Sequence, residues 1–564
     1  MDKKMKITVI GASVAVLIIL MLLGSAIVKM LTPSDEVMPL TDYYQVGDSE
    51  VMVILQDEIY GKRGLLIDGT VYLDYDTVTE KFNHRFYWDQ NENVLTYTTP
   101  TEIIRAEAGS SDYSSTMTFN TTMKKTEYQI VRVSADKVYI ALGFVGQYSD
   151  ITFRYYGEPN RVIIDYRWGE QLYTEVTKAT QLRYEPNIKS PILKEMPKGT
   201  GLMYVSKEEA PRNGFFKVMT EEGIIGYVKN KHVKESFYKA ISSSFKAPEY
   251  TAQTRAGMIN LVFHQVFNSD AAGNLEELIH ATKGVTVVSP TWFNVLDASG
   301  AISSFASEDY VDKAKGLGLE VWALVTDVNI EVDMLQMLSH TSARDNLSNA
   351  LVQAALDYKL NGINVDLEKI SKAGPHYIQF LRELSVKCRN NGIVLSVDDF
   401  VPASYNEFYD MEEQGKILDY VIIMAYNEST GAPGPVSSIH FVKKAVEDTL
   451  KEVPEEKTII AIPFYTKLWK EDGDGKVSAD DLAMTNAAQT LVDNGAEVNW
   501  DGTAGCNYAE YEKDGATYKM WQEEDKSIEE KMKVIYEAEA AGVAAWKLGL
   551  ESESVWDVII KYLN

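Results

Sequence analysis

Three polar residues alternate with apolar ones in the stretch NGINVDLE, residues 361–368. On a β-strand, Asn364, Asp366 and Glu368 share one face, because successive side chains point to opposite sides. Two carboxyl groups held this close repel each other, so one of them tends to keep its proton near neutral pH. Such a group can act as a general acid on a leaving oxygen. The stretch by itself also fits an ordinary half-exposed strand with its polar residues on the wet side.

The elements that must position this stretch begin near residue 250, where apolar runs alternate with amphipathic segments. The apolar runs are 258–267, 285–292, 319–327, 362–368, 393–400, 419–426, 458–464 and 542–549. Most segments between them repeat apolar residues every three or four positions, as helices do. Strands and helices alternating in this number predict a (β/α)8 TIM barrel over 250–564, an α/β fold. A doubly wound sheet is the rival, but no glycine-rich phosphate turn follows the first strand.

The gap between the last two runs is too long for a single crossover. It contains a predicted helix, AMTNAAQTLVDNG, and a predicted hairpin, CNYAEYEKDGATYKMWQ, whose turn is Asp514-Gly515. We therefore expect an α+β insertion in the barrel at about 466–525.

Polar side chains that point into a parallel barrel need a partner or a function. Strands of such a barrel are buried on both faces, and burying an unpaired polar group costs several kcal/mol. Barrel enzymes keep their chemistry at the C-terminal ends of the strands. The end of NGINVDLE is therefore the predicted active site.

Three motifs on the fourth, sixth and eighth predicted strands together resemble those of glycoside hydrolase family 18. NGINVDLE is similar to that family's fourth-strand signature, D-G-x-D-x-D-x-E, with Glu368 at the catalytic position. MAYN at 424–427 resembles its sixth-strand motif, and GVAAWKLGLES at 542–552 resembles its eighth strand. WQEEDKS, followed by a helix, resembles the branch that includes spore-cortex and other peptidoglycan-cleaving N-acetylglucosaminidases. The resemblance covers about residues 250–564.

The resemblance implies retaining hydrolysis in which the substrate itself assists. Glu368 would protonate the glycosidic oxygen, and the 2-acetamido group of the sugar would attack its own anomeric carbon. Asp366 would hold the acetamido N–H and stabilise the positive oxazolinium intermediate. Tyr426 would hydrogen-bond the acetamido oxygen, and Glu368 would finally activate water.

Further substrate contacts are implied around these three catalytic residues. Trp546 would form the flat floor under the reacting sugar. The other implied substrate-binding residues are Asn364, Met424, Asn427, Trp521 and Glu523, the last two from the hairpin of the insertion. No metal and no cofactor are implied.

The sequence departs from the chitinase pattern in two places. Asn361 and Asn364 occupy positions where many chitinases have Asp, although the peptidoglycan-cleaving relatives tolerate Asn there. Losing the inner Asp changes how charge is shared with Asp366, which leaves the pH profile open. The second strand ends SPTWFNV and lacks the Ser-x-Gly-Gly of chitinases. This favours peptidoglycan over chitin as the substrate.

Two predicted β-rich modules precede the barrel. Residues 46–168 contain a faint repeat of 67–68 residues, each copy a strand, a short helix and a hairpin, and the first copy resembles the N-terminal domain of copper amine oxidases. None of the copper chemistry belongs to that module. Residues 175–236 end in GFFKVMTEEGIIGYVKNKHV and resemble a bacterial Src-homology-3-like barrel. Each module is interpreted as a spacer or a weak binder of wall polymer.

The N-terminus predicts a membrane anchor. Residues 7–28 carry no charge and are long enough to span a bilayer as a helix. Lysines within residues 1–6 place that tip in the cytoplasm, so the chain after the stalk at 31–45 lies outside. A cleaved signal peptide, with GSA at 24–26 as the cleavage site, is the alternative. Both interpretations export the barrel.

Composition excludes several classes of function. A net charge of −27 and a pI near 4.8 argue against a nucleic-acid binder, which presents a basic face. Two cysteines without a CxxC exclude a disulfide framework and a structural zinc site, and the seven histidines form no HExxH.

Three hypotheses remain for the exported chain. The first is a membrane-anchored N-acetylglucosaminidase that acts on cell-wall glycan. The second is a catalytically silent, lectin-like protein on the same barrel, and the third is a cell-wall tether. The presence of both Asp366 and Glu368 favours the enzyme, because a lectin does not need the acid.

Overall fold

The computed structural model describes residues 3–205, 211–268, 272–328 and 331–563, with side chains from Ile10 onward. The chain divides into two compact units. The first comprises Met1–His84, Ala108–Ser111 and Thr126–Ala247. The second comprises Arg85–Glu107, Asp112–Lys125 and Pro248–Asn564.

The chain begins with a long apolar helix, Lys3–Leu31. Its segment Ile10–Leu31 has a mean hydropathy of 2.6 and is not buried by the rest of the protein. Twenty-two helical residues reach about 33 Å, the thickness of a bilayer core. Length and composition therefore fit a membrane span, and they fit a signal sequence equally well.

The first unit contains two seven-stranded sheets. One sheet consists of Glu50–Leu55, Glu58–Ile67, Thr70–Asp74, Val131–Ser134, Lys137–Ala141, Thr152–Tyr156 and Arg161–Asp165, with helices Leu40–Tyr44, Tyr75–Lys81 and Leu142–Tyr148 nearby in the chain. The other is antiparallel and consists of Gly169–Glu175, Thr180–Arg183, Ile192–Met196, Gly201–Tyr204, Phe215–Met219, Ile225–Lys229 and Phe237–Ile241. The two family resemblances of this region stay predictions.

Eight parallel strands of the second unit close into a barrel. They are β1 (Ile259–His264), β2 (Val287–Val295), β3 (Glu320–Thr326), β4 (Gly362–Asp366), β5 (Val394–Phe400), β6 (Tyr420–Met424), β7 (Thr458–Pro463) and β8 (Gly542–Trp546). Each pairs with the next, and β8 pairs with β1. A short strand, Ile302–Ser304, adds to β2. The predicted TIM barrel is confirmed: seven of the eight strands lie inside their predicted apolar runs, and β2 extends beyond its run to Val295.

Helices surround the barrel in the usual alternation. They are α1 (Leu275–His280), α2 (Glu308–Gly316), α3 (Met334–Ser339), α4 (Thr341–Asp357), α5 (Gly374–Asn390), α6 (Met411–Ile417), α7 (Ile439–Thr449), α8 (Asp525–Glu537) and α9 (Val555–Ile559). Ile363, Val365 and Leu367 pack outward with these helices in the larger apolar core. The smaller inner core includes Trp322 and Leu324 of β3 and Ile422 of β6.

An insertion separates β7 from α8. Its five-stranded sheet consists of Tyr465–Glu471, Val477–Ala483, Glu497–Asp501, Cys506–Lys513 and Ala516–Gln522, and its helix is Met484–Asp493. The predicted helix and hairpin are both present, the hairpin turning at Asp514-Gly515.

A five-stranded antiparallel meander also belongs to the second unit. Its strands are Tyr87–Asp89, Val94–Thr98, Ile103–Glu107, Asp112–Thr116 and Thr121–Lys125. These residues lie inside the predicted module 46–168, which the structure therefore divides between the two units. The hairpin of the first repeat copy joins the meander, whereas that of the second copy stays in the first unit.

The meander is fixed to the barrel helices by buried charges. Arg105 pairs with Asp345 of α4 and, at 3.0 Å, with Glu383 of α5. Arg344 also pairs with Glu383, at 3.2 Å, and both side chains are completely buried. We call Arg105, Arg344, Asp345, Glu383 and Lys387 the outer ionic cluster. Such partners are far apart in sequence, which explains why sequence patterns assigned the meander elsewhere.

The meander also caps helix α4. Asp89 accepts hydrogen bonds from the backbone N–H of Thr341 at 2.6 Å and from its hydroxyl at 2.7 Å. These bonds satisfy a helix N-terminus whose own N-cap residue, His340, provides no side-chain bond.

Candidate active site

Strand β4 brings the central residues of NGINVDLE to the inside of the barrel. The strand begins at Gly362, where a β-carbon would lie 2.8 Å from the ring of Trp322, so only glycine fits there. Asn364 follows on the inward face and is completely buried. Its Nδ2 donates to Asp398 Oδ2 at 2.6 Å, and its Oδ1 accepts from the hydroxyl of Ser396 at 2.7 Å. Asn364 therefore lies beneath the cleft and holds Asp398.

Asp366 and Glu368 lie at the C-terminal end of β4, and both keep part of their surface accessible. Burial, followed by the charges of Glu368 and Asp327, raises the pKa of Asp366 well above its usual value. Burial and the charge of Asp327 likewise raise the pKa of Glu368, against a smaller opposite effect of Lys369. The site therefore favours protonated carboxyl groups, which is the state that a general acid needs.

Asp327, at the end of β3, orients Glu368 through the backbone. Its two carboxylate oxygens each accept one bond of 2.9 Å, from the N–H of Glu368 and from the N–H of Lys369. These bonds fix the turn that carries the side chain of Glu368. Sequence reasoning missed Asp327, although its place as the last residue of the run 319–327 was a signal for the C-terminal rim.

Asp398, on the inward face of β5, was also missed. Burial, the charge of Asp366 and that of Asp399 raise its pKa well above the usual value, and the bond from Asn364 only partly opposes this. Its second oxygen, Oδ1, has no hydrogen-bond partner in the described part of the chain. The run IVLSVDDF contains two adjacent Asp residues, and the sequence alone did not tell which one points inward.

Tyr426 follows β6 and packs against the inner core. Burial and the nearby charges of Asp398 and Asp366 raise its pKa well above the usual value, so its hydroxyl stays a neutral donor. Met424 ends β6 and is buried. Asn427 has a left-handed φ of 58°, which Asn tolerates, and its Oδ1 accepts the hydroxyl of Tyr465 at 2.8 Å. Its carboxamide is thus oriented by the insertion.

Trp546 ends β8 and lies beside the same inner core as Tyr426. Its ring centroid is 5.4 Å from that of Phe263 on β1, and the ring remains partly exposed. An exposed aromatic face at the barrel rim is a surface on which a sugar ring can stack.

The two residues predicted from the hairpin differ in their surroundings. Trp521 is partly exposed, with its ring 4.8 Å from that of Tyr508. Glu523 is completely buried, and its carboxylate binds Lys531 at 2.8 Å and Ser527 at 2.7 Å. Both oxygens of Glu523 contact Lys531, so this residue anchors helix α8, and its predicted contact with substrate stays a prediction.

The charged side chains of the candidate site are carboxyl groups. In the described ranges, no group of three or more His, Cys, Asp or Glu side chains is arranged to hold a metal ion. The chemistry that this arrangement supports is proton transfer by Glu368, with Asp366 and Tyr426 as neighbouring polar groups.

Comparison with known proteins agrees with this geometry. The model for glycosyl hydrolases family 18 matches residues 224–551, which is more than half of the chain. The chain belongs to this family. It is a family 18 glycosyl hydrolase, and it is similar to a protein named cortical fragment-lytic enzyme.

Two relatives from Bacillus subtilis (strain 168) are similar over part of the chain. The "Putative sporulation-specific glycosylase YdhD" is 28% identical over 225 residues, 38% of this chain and 53% of that protein. The "Cortical fragment-lytic enzyme" is 27% identical over 239 residues, 40% of this chain and 56% of that protein. The chain thus spans about half the length of these two relatives.

A solved structure shares the barrel fold. The C-terminal domain of a "putative chitinase" from Desulfitobacterium hafniense DCB-2 has a TM-score of 0.50 and 18% identity. The match covers 55% of this chain and all of that domain.

Proposed function

We propose that this family 18 hydrolase cleaves β-1,4 bonds of N-acetylglucosamine-containing cell-wall glycan, with retention of configuration and with help from the substrate's own acetamido group. The observation that carries the proposal is the pair Asp366 and Glu368 at the C-terminal end of β4, both partly accessible and both with a raised pKa. No cofactor and no nucleic acid take part.

Each step uses a group of this chain. Protonated Glu368 donates its proton to the glycosidic oxygen as that bond breaks. Asp366 accepts the acetamido N–H and balances the positive charge of the oxazolinium, while the Tyr426 hydroxyl donates to the acetamido oxygen. Glu368, now a carboxylate, removes a proton from water as the water oxygen bonds to the anomeric carbon. The bond between that carbon and the acetamido oxygen breaks, which restores the acetamido group and gives a product with the original anomeric configuration.

Peptidoglycan is the favoured substrate over chitin. The similarity to a protein named cortical fragment-lytic enzyme supports this choice, as does the lack of Ser-x-Gly-Gly after the second strand. Trp546, Met424 and Asn427 would contact the reacting sugar, and Trp521 a more distant one.

The apolar helix supports a membrane location with the barrel outside the cell. We expect the full chain to stay in the membrane fraction after an alkaline wash, with the barrel open to protease added to intact cells. Release of a shortened chain into the medium would instead identify the helix as a cleaved signal peptide.

The test compares the full chain in detergent with Glu368→Gln, on purified peptidoglycan and on chitooligosaccharides. Counting new reducing ends and identifying the fragments by mass, we expect cleavage by the parent and a loss of about three orders of magnitude or more in the variant. Glu331→Gln, a change of an exposed glutamate near Lys369, is the matched control and should keep full activity.

The alternative functions, glycan binding by a lectin-like protein or by a wall tether, predict binding without cleavage in the same experiment. If neither the parent nor Glu368→Gln cleaves any glycan but both bind it, the chain is a lectin-like protein or a wall tether.

A further inference from the structure

Two inward-facing carboxyl groups lie side by side on neighbouring strands. The register of β4 against β5 pairs Asn364 with Ser396 and Val365 with Val397, so Asp366 and Asp398 follow next to each other on the same face. Neighbouring strands are about 4.8 Å apart, which brings the two carboxyl groups close together.

Asp398 is held in place from below. One of its oxygens accepts the 2.6 Å bond from Asn364, whose own oxygen is fixed by Ser396. The other oxygen, Oδ1, is the atom without a hydrogen-bond partner among the described residues. It is therefore the atom at which Asp398 can hold a proton.

Neither carboxyl group has a cation to neutralise it. In the ranges that the structure describes, Asp366 and Asp398 form no ion pair with Lys or Arg. When two carboxylates are buried together without a cation, desolvation and mutual repulsion make the doubly ionised state unfavourable, so they share one proton.

We infer that Asp398 is a positioning residue that shares one proton with Asp366. When Asp398 Oδ1 carries the proton, Asp366 is the anion that faces the substrate, and when the site is empty the proton can return to Asp366. Asp398 thus supplies, from strand β5, the second inner carboxyl group that Asn364 does not provide. Its catalytic effect rests on the proposed function.

The shared proton also affects Glu368. The other titratable groups that interact electrostatically with this pair are Glu368 and Asp327 at the ends of β4 and β3, Asp399 on the other face of β5, Tyr426 after β6, and Tyr377 and Tyr409 behind β5. As pH rises and the pair loses its proton, the added negative charge opposes ionisation of Glu368. The pair therefore extends the range in which Glu368 stays an acid.

The first test is Asp398→Asn in the full chain, with kcat and KM measured on peptidoglycan fragments across pH. We expect kcat to fall about 10- to 100-fold with little change in KM, and the basic limb of the profile to move to lower pH. A residue that only supported the fold would lower the activity without moving that limb.

Two further variants isolate the charge. In the double variant Asn364→Asp/Asp398→Asn, the carboxyl and carboxamide groups of the hydrogen-bonded pair exchange places. We expect kcat to be about tenfold higher than in Asp398→Asn and the basic limb of the pH profile to return to its position in the parent. Asp399→Asn is the comparison variant, because Asp399 is as deeply buried but lies on the other face of β5. The charge of Asp399 raises the pKa of Asp398, but less than the charge of Asp366 does, so this variant should move the basic limb less than Asp398→Asn does.

A profile of Asp398→Asn that superimposes on the parent's, or an equal shift in Asp399→Asn, would overturn the inference. If the parent cleaves no glycan, the proposed function fails, and urea unfolding then tests whether Asp366 and Asp398 share a proton. In urea unfolding from pH 4 to 8, a shared proton makes the effects of Asp366→Asn and Asp398→Asn non-additive, whereas additive effects would show that no proton is shared.

Discussion

Two buried clusters of charged side chains in the same barrel are built in opposite ways. The inner carboxyl groups, Asp366, Glu368 and Asp398, have raised pKa values and no ion-pair partner in the described ranges. In the outer ionic cluster, each carboxylate contacts an arginine or a lysine.

The comparison teaches that neighbours, and not burial alone, set the direction of a pKa shift. Burial raises the pKa of Asp345 too, but the charges and hydrogen bonds of Arg105 and Lys387 outweigh it, so its pKa lies below the usual value. Groups left without a cation are costly and chemically active, whereas paired groups hold elements together.

Loss of an inner carboxylate gives the largest expected effect. Asp366→Asn should lower kcat by about 10²- to 10³-fold, because the positive intermediate loses its counter-charge. The same change should raise the free energy of unfolding at pH 7, since it removes a carboxyl group that is costly to ionise. The measurement is kcat together with urea unfolding. A variant that lost stability as well as activity would contradict the contrast between the inner carboxyl groups and the outer ionic cluster.

Loss of one member of the outer ionic cluster should have the opposite effect, lowering stability and leaving activity unchanged. Arg344→Met leaves Glu383 buried with fewer partners, and we expect the free energy of unfolding to fall by about 3–5 kcal/mol. Activity per folded molecule should be unchanged. Lys416→Met, which breaks an exposed pair with Glu412, is the control and should cost at most about 0.5 kcal/mol.

The two clusters should also respond to pH with opposite signs. Because Asp366 and Asp398 have raised pKa values, the folded state binds their protons more tightly than the unfolded state does. Their contribution to the free energy of unfolding therefore weakens as pH rises from about 4 through the folded pKa. Asp345 has a lowered pKa, so its contribution is present above about pH 4 and is lost as pH falls.

Unfolding curves of Asp398→Asn and Asp345→Asn across pH would separate these contributions. In Asp398→Asn, the free energy of unfolding should no longer fall as pH rises toward neutrality. In Asp345→Asn, it should no longer fall as pH drops into the acid range. An identical pH dependence in both variants would remove the distinction between the clusters.

The cap that the meander provides should have the smallest effect. Asp89→Ala removes the bonds to the N-terminus of α4, and we expect a loss of about 1–2 kcal/mol in the free energy of unfolding. Glu92→Ala, which removes more exposed bonds to Ser342, should cost less. An equal cost for the two changes would show that burial of the cap does not matter.

The barrel was predictable because strands buried on both faces read as apolar runs, and all eight runs contain a strand. The positions of Asp366, Glu368 and Tyr426 at the C-terminal ends of strands were predictable, because their motifs stand at the ends of such runs. Asp398 was not, since in the pair Asp398-Asp399 a shift of one residue exchanges the inner and the outer face. The ion pair of Glu523 with Lys531 was not predicted, because a spacing of eight residues from a hairpin to a helix has no characteristic pattern.

The meander was beyond sequence reasoning for a related reason. Arg105 and Glu383 are widely separated in the chain, and a buried ion pair leaves no periodic pattern. The repeat with residues 136–165 assigned the hairpin at 87–98 to the first module on local similarity alone.

The place of the meander in the chain also affects biosynthesis. The polypeptide passes from the first unit to the second at Arg85, returns at Ala108, leaves again at Asp112 and returns at Thr126 before it reaches the barrel. A growing chain therefore presents Asp89 and Arg105 well before the helices that neutralise them have been made. During vectorial synthesis, the charged side chains of these strands therefore remain without their helix partners, and prone to wrong contacts, until α5 has been synthesised.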